Sequence, residues 1–203
     1  MTSSVVILDY GVGNVRSVQK AIAKIYHEPV ITGDVDEILA ADALIIPGVG
    51  AFSAGMERIA PHYNLLHELH SRIPILGICL GMQIMLESSE ESDDDARGLC
   101  FIPGRVSRFP DTPGYKIPHM GWNNIFPVQD DPLFSGIKAG SPMYFVHSYY
   151  AGTTLEYTAA TTKYMISFPS AIRSGMTWGV QFHPEKSGDA GLSILRNFCS
   201  LIE

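Results

Sequence analysis

A thiol, an imidazole and a carboxylate stand out in this sequence because of the turns they would occupy. Cys79 lies in Gly77-Ile78-Cys79-Leu80-Gly81-Met82-Gln83, between the apolar, β-prone residues 74–78 and good helix formers over 80–88. The pattern predicts a strand-to-helix elbow with the thiol at its tip. Gly77 and Gly81 remove side chains that would block a sharp turn and the close approach of helix to strand. Unpaired N–H groups at the start of a helix favour a thiolate. A buried cysteine packed as a small hydrophobe fits the same local pattern, so the weight falls on its surroundings.

Thr177-Trp178-Gly179-Val180-Gln181-Phe182-His183-Pro184-Glu185 reads as a strand running into a Pro-containing loop. In an extended chain residues two apart share a face, so His183 and Glu185 can point the same way. Glu185 would then fix the tautomer of His183, whose other nitrogen would take the Cys79 proton and deliver it to a leaving group. A third segment, Ile45-Ile46-Pro47-Gly48-Val49-Gly50-Ala51-Phe52, is an apolar strand that breaks into a glycine-rich loop before a helical stretch from about Ser53. A backbone N–H of Gly48, Val49 or Gly50 placed beside Cys79 would meet the oxyanion formed when a thiolate attacks a carbonyl, lowering the barrier by roughly 3 kcal/mol. The loop lacks the Lys-Ser/Thr ending of a phosphate-binding P-loop. Spacing alone leaves open whether the three segments meet in space.

The elements that must position these residues alternate in the first half of the chain. Strands are expected over 5–8, 30–31, 44–46 and 75–79, with a helix capped by Asn14 and carrying Val15, Val18, Ile22 and Ile25 at helical spacing. Such alternation gives a parallel sheet flanked by helices, with ligands at the carboxyl ends of the strands. The second half is richer in strands, expected over 105–109, 143–150, 157–162 and 176–182, before a final helix with Leu192, Leu195, Phe198 and Ile202 on one face. The fold class expected is α/β, in one domain over 1–203. The acidic run 87–95 reads as a solvated loop.

Composition narrows the function. A net charge of −7 and an isoelectric point near 5.4 give nucleic acid no electrostatic footprint. The amino-terminal apolar run is short and has no basic leader, so neither a signal peptide nor a membrane span is expected, and a cytoplasmic location follows. Three cysteines, Cys79, Cys100 and Cys199, do not make a disulfide framework. His62, His67 and His70 read as solvated side chains on a surface helix near 64–72, because His67-Glu68-Leu69-His70 lacks the spacing of the zinc motif His-Glu-x-x-His. No metal and no cofactor is expected. Tyr144, Phe145, Tyr149 and Tyr150 read as core and strand residues.

The Cys79 segment, the Pro47-Gly48-Val49-Gly50 loop and His183-Pro184-Glu185 resemble, in that order and at suitable separations, the class I (triad) glutamine amidotransferases. Asp9-Tyr10-Gly11-Val12-Gly13-Asn14, Pro118-His119-Met120-Gly121-Trp122-Asn123, Tyr144-Phe145-Val146-His147-Ser148-Tyr149 and Lys186-Ser187 narrow the resemblance to the glutaminase subunits of imidazole glycerol phosphate synthase. It spans nearly the whole chain. It implies a flavodoxin-like, mostly parallel central sheet with additional antiparallel strands, and hydrolysis of L-glutamine by Cys79, His183 and Glu185. It also implies oxyanion or substrate contacts from Gly48, Val49, Gly50, Leu80, Gln83, Glu91, His147, Ser148 and Tyr149, the last three partly through backbone.

Ammonia lost to water would be wasted, and no second domain is expected to hold an acceptor. The resemblance supplies the partner, a (β/α)₈-barrel cyclase subunit in a heterodimer, faced by Tyr10, Asn14, Trp122 and Lys186. It further implies low activity until that partner binds its ligand, through the peptide orientation at Val49. Two other readings stay open: the glutaminase of another ammonia-channelling synthase, which should lack the 9–14 and 118–123 segments, and a non-catalytic interaction protein on the same fold. Cys100 departs from the small residue expected between Leu99 and Phe101 and adds a second reactive thiol.

Overall fold

A computed structural model describes residues 3–26, 28–91 and 96–202. In chain order the elements are β1 (Val5–Leu8), α1 (Val15–Ile22), β2 (Val30–Thr32), α2 (Val35–Leu39), β3 (Ala43–Gly48), α3 (Phe52–Ile59), α4 (Tyr63–Leu69), β4 (Ile75–Cys79), α5 (Leu80–Gln83), β5 (Ser88–Ser89), β6 (Arg105–Arg108), β7 (His119–Pro127), β8 (Ser141–His147), β9 (Tyr149–Gly152), β10 (Thr158–Tyr164), β11 (Ile166–Ser174), β12 (Thr177–Val180) and α6 (Gly188–Cys199). The large sheet runs β2-β1-β3-β4-β12-β11-β10-β7-β8, and β5, β6 and β9 form a small second sheet. Pairings from β2 through β12 are parallel and those from β12 to β8 antiparallel. The α/β class, with its parallel first half and antiparallel second half, is therefore as the sequence implies.

Strand alternation splits the core into two apolar layers. Val5, Ile7 and Ile45 pack towards α1 and α6, with Val18, Ile22, Leu195 and Phe198; Val6, Leu8, Leu44 and Ile46 pack towards α3, α4 and α5, with Phe52, Leu66 and Leu80. These strands are buried on both faces and so read as continuous apolar runs. Among the described residues no helix is long and apolar enough to cross a membrane.

Four expectations need correction. The helix expected over 80–88 is only α5, four residues long and wholly buried. It stops because the carbonyls of Ile84, Met85 and Leu86 accept backbone N–H groups from Leu99, Phe101 and Cys100 rather than from the next helical turn. The strand expected over 143–150 is two strands: the chain leaves the large sheet after His147 and enters the small one at Tyr149. The acidic run includes β5, and Ser89 is buried; residues 92–95 lie outside the described residues. His62, His67 and His70 are half-buried rather than solvated, since His62 Nε2 meets the Gly33 carbonyl at 2.9 Å and His67 and His70 pack on the Phe101 ring. Strands β7 and β11 and helix α2, capped by the Asp34 side chain, are additional elements.

Candidate active site

Three neighbouring strand ends build the site. Gly48 of β3 lies in register with Cys79 of β4, and Val180 of β12 with Ile78, so the glycine loop, the thiol and the segment after Val180 emerge level with one another. Cys79 has φ 56° and ψ −108°, a sparsely populated conformation that costs an L-residue about 1–3 kcal/mol, and it lies at the cavity wall. Two glycines make that elbow possible. A Cβ on Gly81 would lie 1.8 Å from the Ile46 carbonyl oxygen, and one on Gly77 would lie 2.5 Å from that of Gly81.

His183 comes to the thiol from β12, but not by the extended geometry that its spacing from Glu185 suggests. The strand stops at Val180, and Pro184–Lys186 forms a 3₁₀ turn that curls the Glu185 carboxylate back onto the ring, with Oε1 2.9 Å from Nδ1. Proline at the first turn position favours this curl, since its fixed φ suits a helical turn and its missing N–H is not needed there. Ser187 secures the turn: its hydroxyl donates to the His183 carbonyl at 2.6 Å and accepts the Tyr144 amide at 2.9 Å, while the His183 amide donates to the Tyr144 carbonyl.

Both members of the pair are buried, with side-chain exposures of 3% and 1%. Burial alone would lower the His183 pKa; contacts with the Cys79 sulfur and the Glu185 carboxylate outweigh it and hold the ring up at about 9. Among the described residues the buried Nε2 makes no hydrogen bond of regular geometry, so its tie to Cys79 is an electrostatic contact that substrate can tighten. The arrangement supplies a thiol that can give its proton to a neighbouring imidazole, which a buried carboxylate orients and stabilises as a cation.

A cavity of about 310 Å³ opens on Cys79 and His183. Of the residues expected to contact substrate, Val49, Gly50, Leu80, Gln83, Glu91, His147, Ser148 and Tyr149 line it, joined by Pro118 and Val146. Gly48 and Glu185 instead border a narrow crevice behind it, with Asn14. The Glu91 carboxylate accepts the Phe52 amide at 2.8 Å and so ties the mouth of the cavity to the start of α3. Gln83 Nε2 donates to the Tyr149 carbonyl and to Gln181 Oε1, both at 3.1 Å. That engagement leaves Gln83 Oε1, an acceptor, for the cavity.

The four residues expected at a partner face are not alike. Trp122 is 59% exposed, Lys186 and Asn14 are exposed, and Trp122 and Lys186 both pack against the Tyr144 ring. Tyr10, in contrast, is buried and presents no face: its hydroxyl donates to the Pro47 carbonyl at 2.7 Å beneath the glycine loop. Burial first, and then the charge of Cys79, raise its phenol above the ordinary range. Cys100 is an exposed thiol whose pKa is raised by partial burial and then by Glu87, which makes it a poorer nucleophile than its exposure suggests.

A hydrogen-bonded chain beside the cavity joins His147, expected at the substrate, to His119 and Asn123, to which the sequence assigned no role. Asn123 Nδ2 meets His119 Nε2 at 3.1 Å, His119 Nδ1 meets His147 Nε2 at 2.9 Å, and His147 Nδ1 meets the Tyr149 carbonyl at 2.7 Å. The carbonyl can only accept, so His147 carries its proton on Nδ1, His119 likewise, and Asn123 donates. Burial holds both rings neutral, pushing His119 down to about 4 and His147 to about 3. Two histidines and an asparagine do stand at inward positions of the two strands, but linking them needs the β7–β8 register, which sets His119 against His147.

Comparison with known proteins agrees with this geometry. The family model for class-I glutamine amidotransferases matches residues 6–201. The chain is 50% identical over 200 residues to the imidazole glycerol phosphate synthase subunit HisH of Methanosarcina acetivorans, covering 97% of this chain and 98% of that one. It is 46% identical over 197 residues to the HisH subunit of Methanocaldococcus jannaschii, with the same coverage. Among solved structures, a chain of PurLQS from Thermotoga maritima shares the fold, with a TM-score of 0.73 at 18% identity over 100% of both chains. The chain belongs to the class-I glutamine amidotransferases, in the family of imidazole glycerol phosphate synthase HisH subunits.

Proposed function

We propose that this chain is the glutaminase subunit of an imidazole glycerol phosphate synthase, hydrolysing L-glutamine to glutamate and ammonia for use in histidine biosynthesis. The observation that carries the reading is the meeting of Cys79 and His183 at the wall of one cavity, from segments more than a hundred residues apart, with Glu185 held against the far nitrogen of the His183 ring. In the reaction, Cys79 gives its proton to His183 and its sulfur attacks the side-chain amide carbon. Backbone N–H groups of the Gly48-Val49-Gly50 loop and of Leu80 receive the developing oxyanion. His183 returns the proton to the leaving nitrogen, ammonia departs, and a thioester remains. Water, deprotonated by His183, then releases glutamate and restores the thiol. Gln83 Oε1 is suited to the substrate ammonium, and the 147–149 segment to its backbone contacts.

Ammonia must reach an acceptor before water protonates it, and a subunit of a synthase has a partner. The partner in this reading is a (β/α)₈-barrel cyclase that turns the ammonia into imidazole glycerol phosphate and an aminoimidazole carboxamide ribotide. Asn14, Trp122 and Lys186 are its contacts; Tyr10 acts from below the loop instead. The cytoplasm is the matching compartment. The test is glutamate release by the purified chain, alone and with a cyclase subunit plus its nucleotide ligand, with Cys79→Ala as control. Activity that rises with the liganded partner and vanishes in the variant supports the assignment; activity indifferent to the partner rejects the synthase role.

A further inference from the structure

Gln181 has no part in the hydrolysis described above, yet it is fully buried and its Nε2 lies 3.7 Å from Cys79 Sγ. Its orientation follows from groups that can only accept. The Tyr149 carbonyl accepts one hydrogen bond from His147 and another from Gln83, which fixes the nitrogen end of the Gln83 amide. That nitrogen also reaches Gln181, so Gln181 must turn its oxygen to Gln83 and its NH₂ to the sulfur. Among the described residues the sulfur is the acceptor this NH₂ meets. A thiol accepts hydrogen bonds weakly and a thiolate strongly, so a buried amide held on sulfur is better satisfied when Cys79 is ionised.

We propose that Gln181 is a further catalytic residue of this site: its side-chain N–H holds the Cys79 sulfur as a thiolate and fixes its direction of attack. The assignment rests on the reading of Cys79 as nucleophile. It also gives the Asn123–His119–His147 chain a task, since that chain orients the Tyr149 carbonyl, which orients Gln83, which orients Gln181. The titratable groups around the sulfur are His183, Glu185 behind it, Tyr10 from below, and Glu91, His147 and Tyr149 on the cavity wall. Gln181 is neutral, so replacing it removes a donor without adding or deleting a charge.

The experiment is the pH dependence of Cys79 carbamidomethylation by iodoacetamide in the intact chain, read on the Cys79 peptide by mass spectrometry so that Cys100 does not interfere. Gln181→Met keeps the length and removes the donor. It should raise the midpoint by about one pH unit, a tenfold loss of thiolate at neutral pH. In the cyclase complex the same variant should lower kcat about tenfold with KM for glutamine nearly constant. Unchanged midpoints overturn the role of Gln181 while leaving Cys79 as nucleophile. An ordinary thiol midpoint in the parent chain, about 8.5, overturns this proposal as well, while full glutamate release by Cys79→Ala is the separate result that overturns the nucleophile reading. Should the variant fail to fold, the parent decides: the side-chain ¹⁵N–¹H signals of Gln181 should titrate with the Cys79 midpoint, and signals that do not move overturn the proposal.

Discussion

Removing the His183–Glu185 charge pair should uncover an acid sensitivity that the parent chain hides between about pH 8 and pH 6. His119 and His147, held neutral at about 4 and about 3, have folded pKa values below the unfolded value near 6.5. Their stabilisation is complete above pH 6.5 and is lost as pH falls towards the folded values. At pH 6 the unfolded chain already binds part of each proton, so each histidine withdraws about 1 kcal/mol, together about 2 kcal/mol. His183 has the opposite sign. Its folded value of about 9 lies above 6.5, so its stabilisation is complete below pH 6.5 and is lost as pH rises through 9. Going from pH 8 to pH 6 it returns about 2 kcal/mol, and the two effects cancel. In His183→Gln/Glu185→Gln, which removes the cation without stranding a buried carboxylate, the compensation is gone. Urea denaturation at the two pH values should give nearly equal free energies for the parent and a fall of about 2 kcal/mol for the double variant. A variant as flat as the parent would refute the opposition of these histidines.

Gly81→Ala should cost about 3 kcal/mol, because its Cβ would land on the Ile46 carbonyl and force α5 off β3; urea unfolding measures it. Tyr10→Phe removes the donor to the buried Pro47 carbonyl, which should cost about 1–2 kcal/mol in the same assay and slow glutamate release by loosening the loop. Cys100 adopts φ 55°, so Cys100→Gly should stabilise the chain by about 1 kcal/mol, read as a higher melting temperature. Trp122→Ala should weaken cyclase association by about 2 kcal/mol in a titration calorimeter while leaving the melting temperature unchanged, since the ring is 59% exposed.

The parts of the site readable from sequence are those coded by local chemistry. Glycines two residues either side of Cys79 announce an elbow because only a missing Cβ permits the approach to Ile46, and the apolar run before Gly48 announces a strand buried on both faces. What failed to read out depends on partners remote in sequence. The helix after Cys79 is cut short by N–H groups from residues 99–101, and no propensity within 80–88 encodes that. The split at Ser148 is invisible because Tyr149 and Tyr150 continue a strand pattern while pairing with β6 in another sheet. Tyr10 looks like an exposed aromatic in a glycine-rich turn until the Pro47 carbonyl above it is seen. Gln181 is one polar residue in an apolar run, a signal that marks burial without naming its partner.

The mixed sheet links the chemistry to an exposed face. The parallel half ends its strands at Cys79 and the glycine loop, whereas the antiparallel half carries β7, whose outward residues Met120 and Trp122 are exposed and whose inward residues His119 and Asn123 feed the Tyr149 carbonyl. A strand sends alternate residues to opposite faces, so a load on Trp122 and a displacement of His119 are coupled through rigid backbone only three residues long. On β8 the same holds for Tyr144, which meets Trp122 and Lys186 through its ring and His183 through its carbonyl. The exposed side chains of this face are thus linked to both sides of the thiol: to His183 through Tyr144, and to Gln181 through the histidine chain. The links are ring contacts at Tyr144, strand backbone between Trp122 and His119, and single hydrogen bonds from there to the Tyr149 carbonyl.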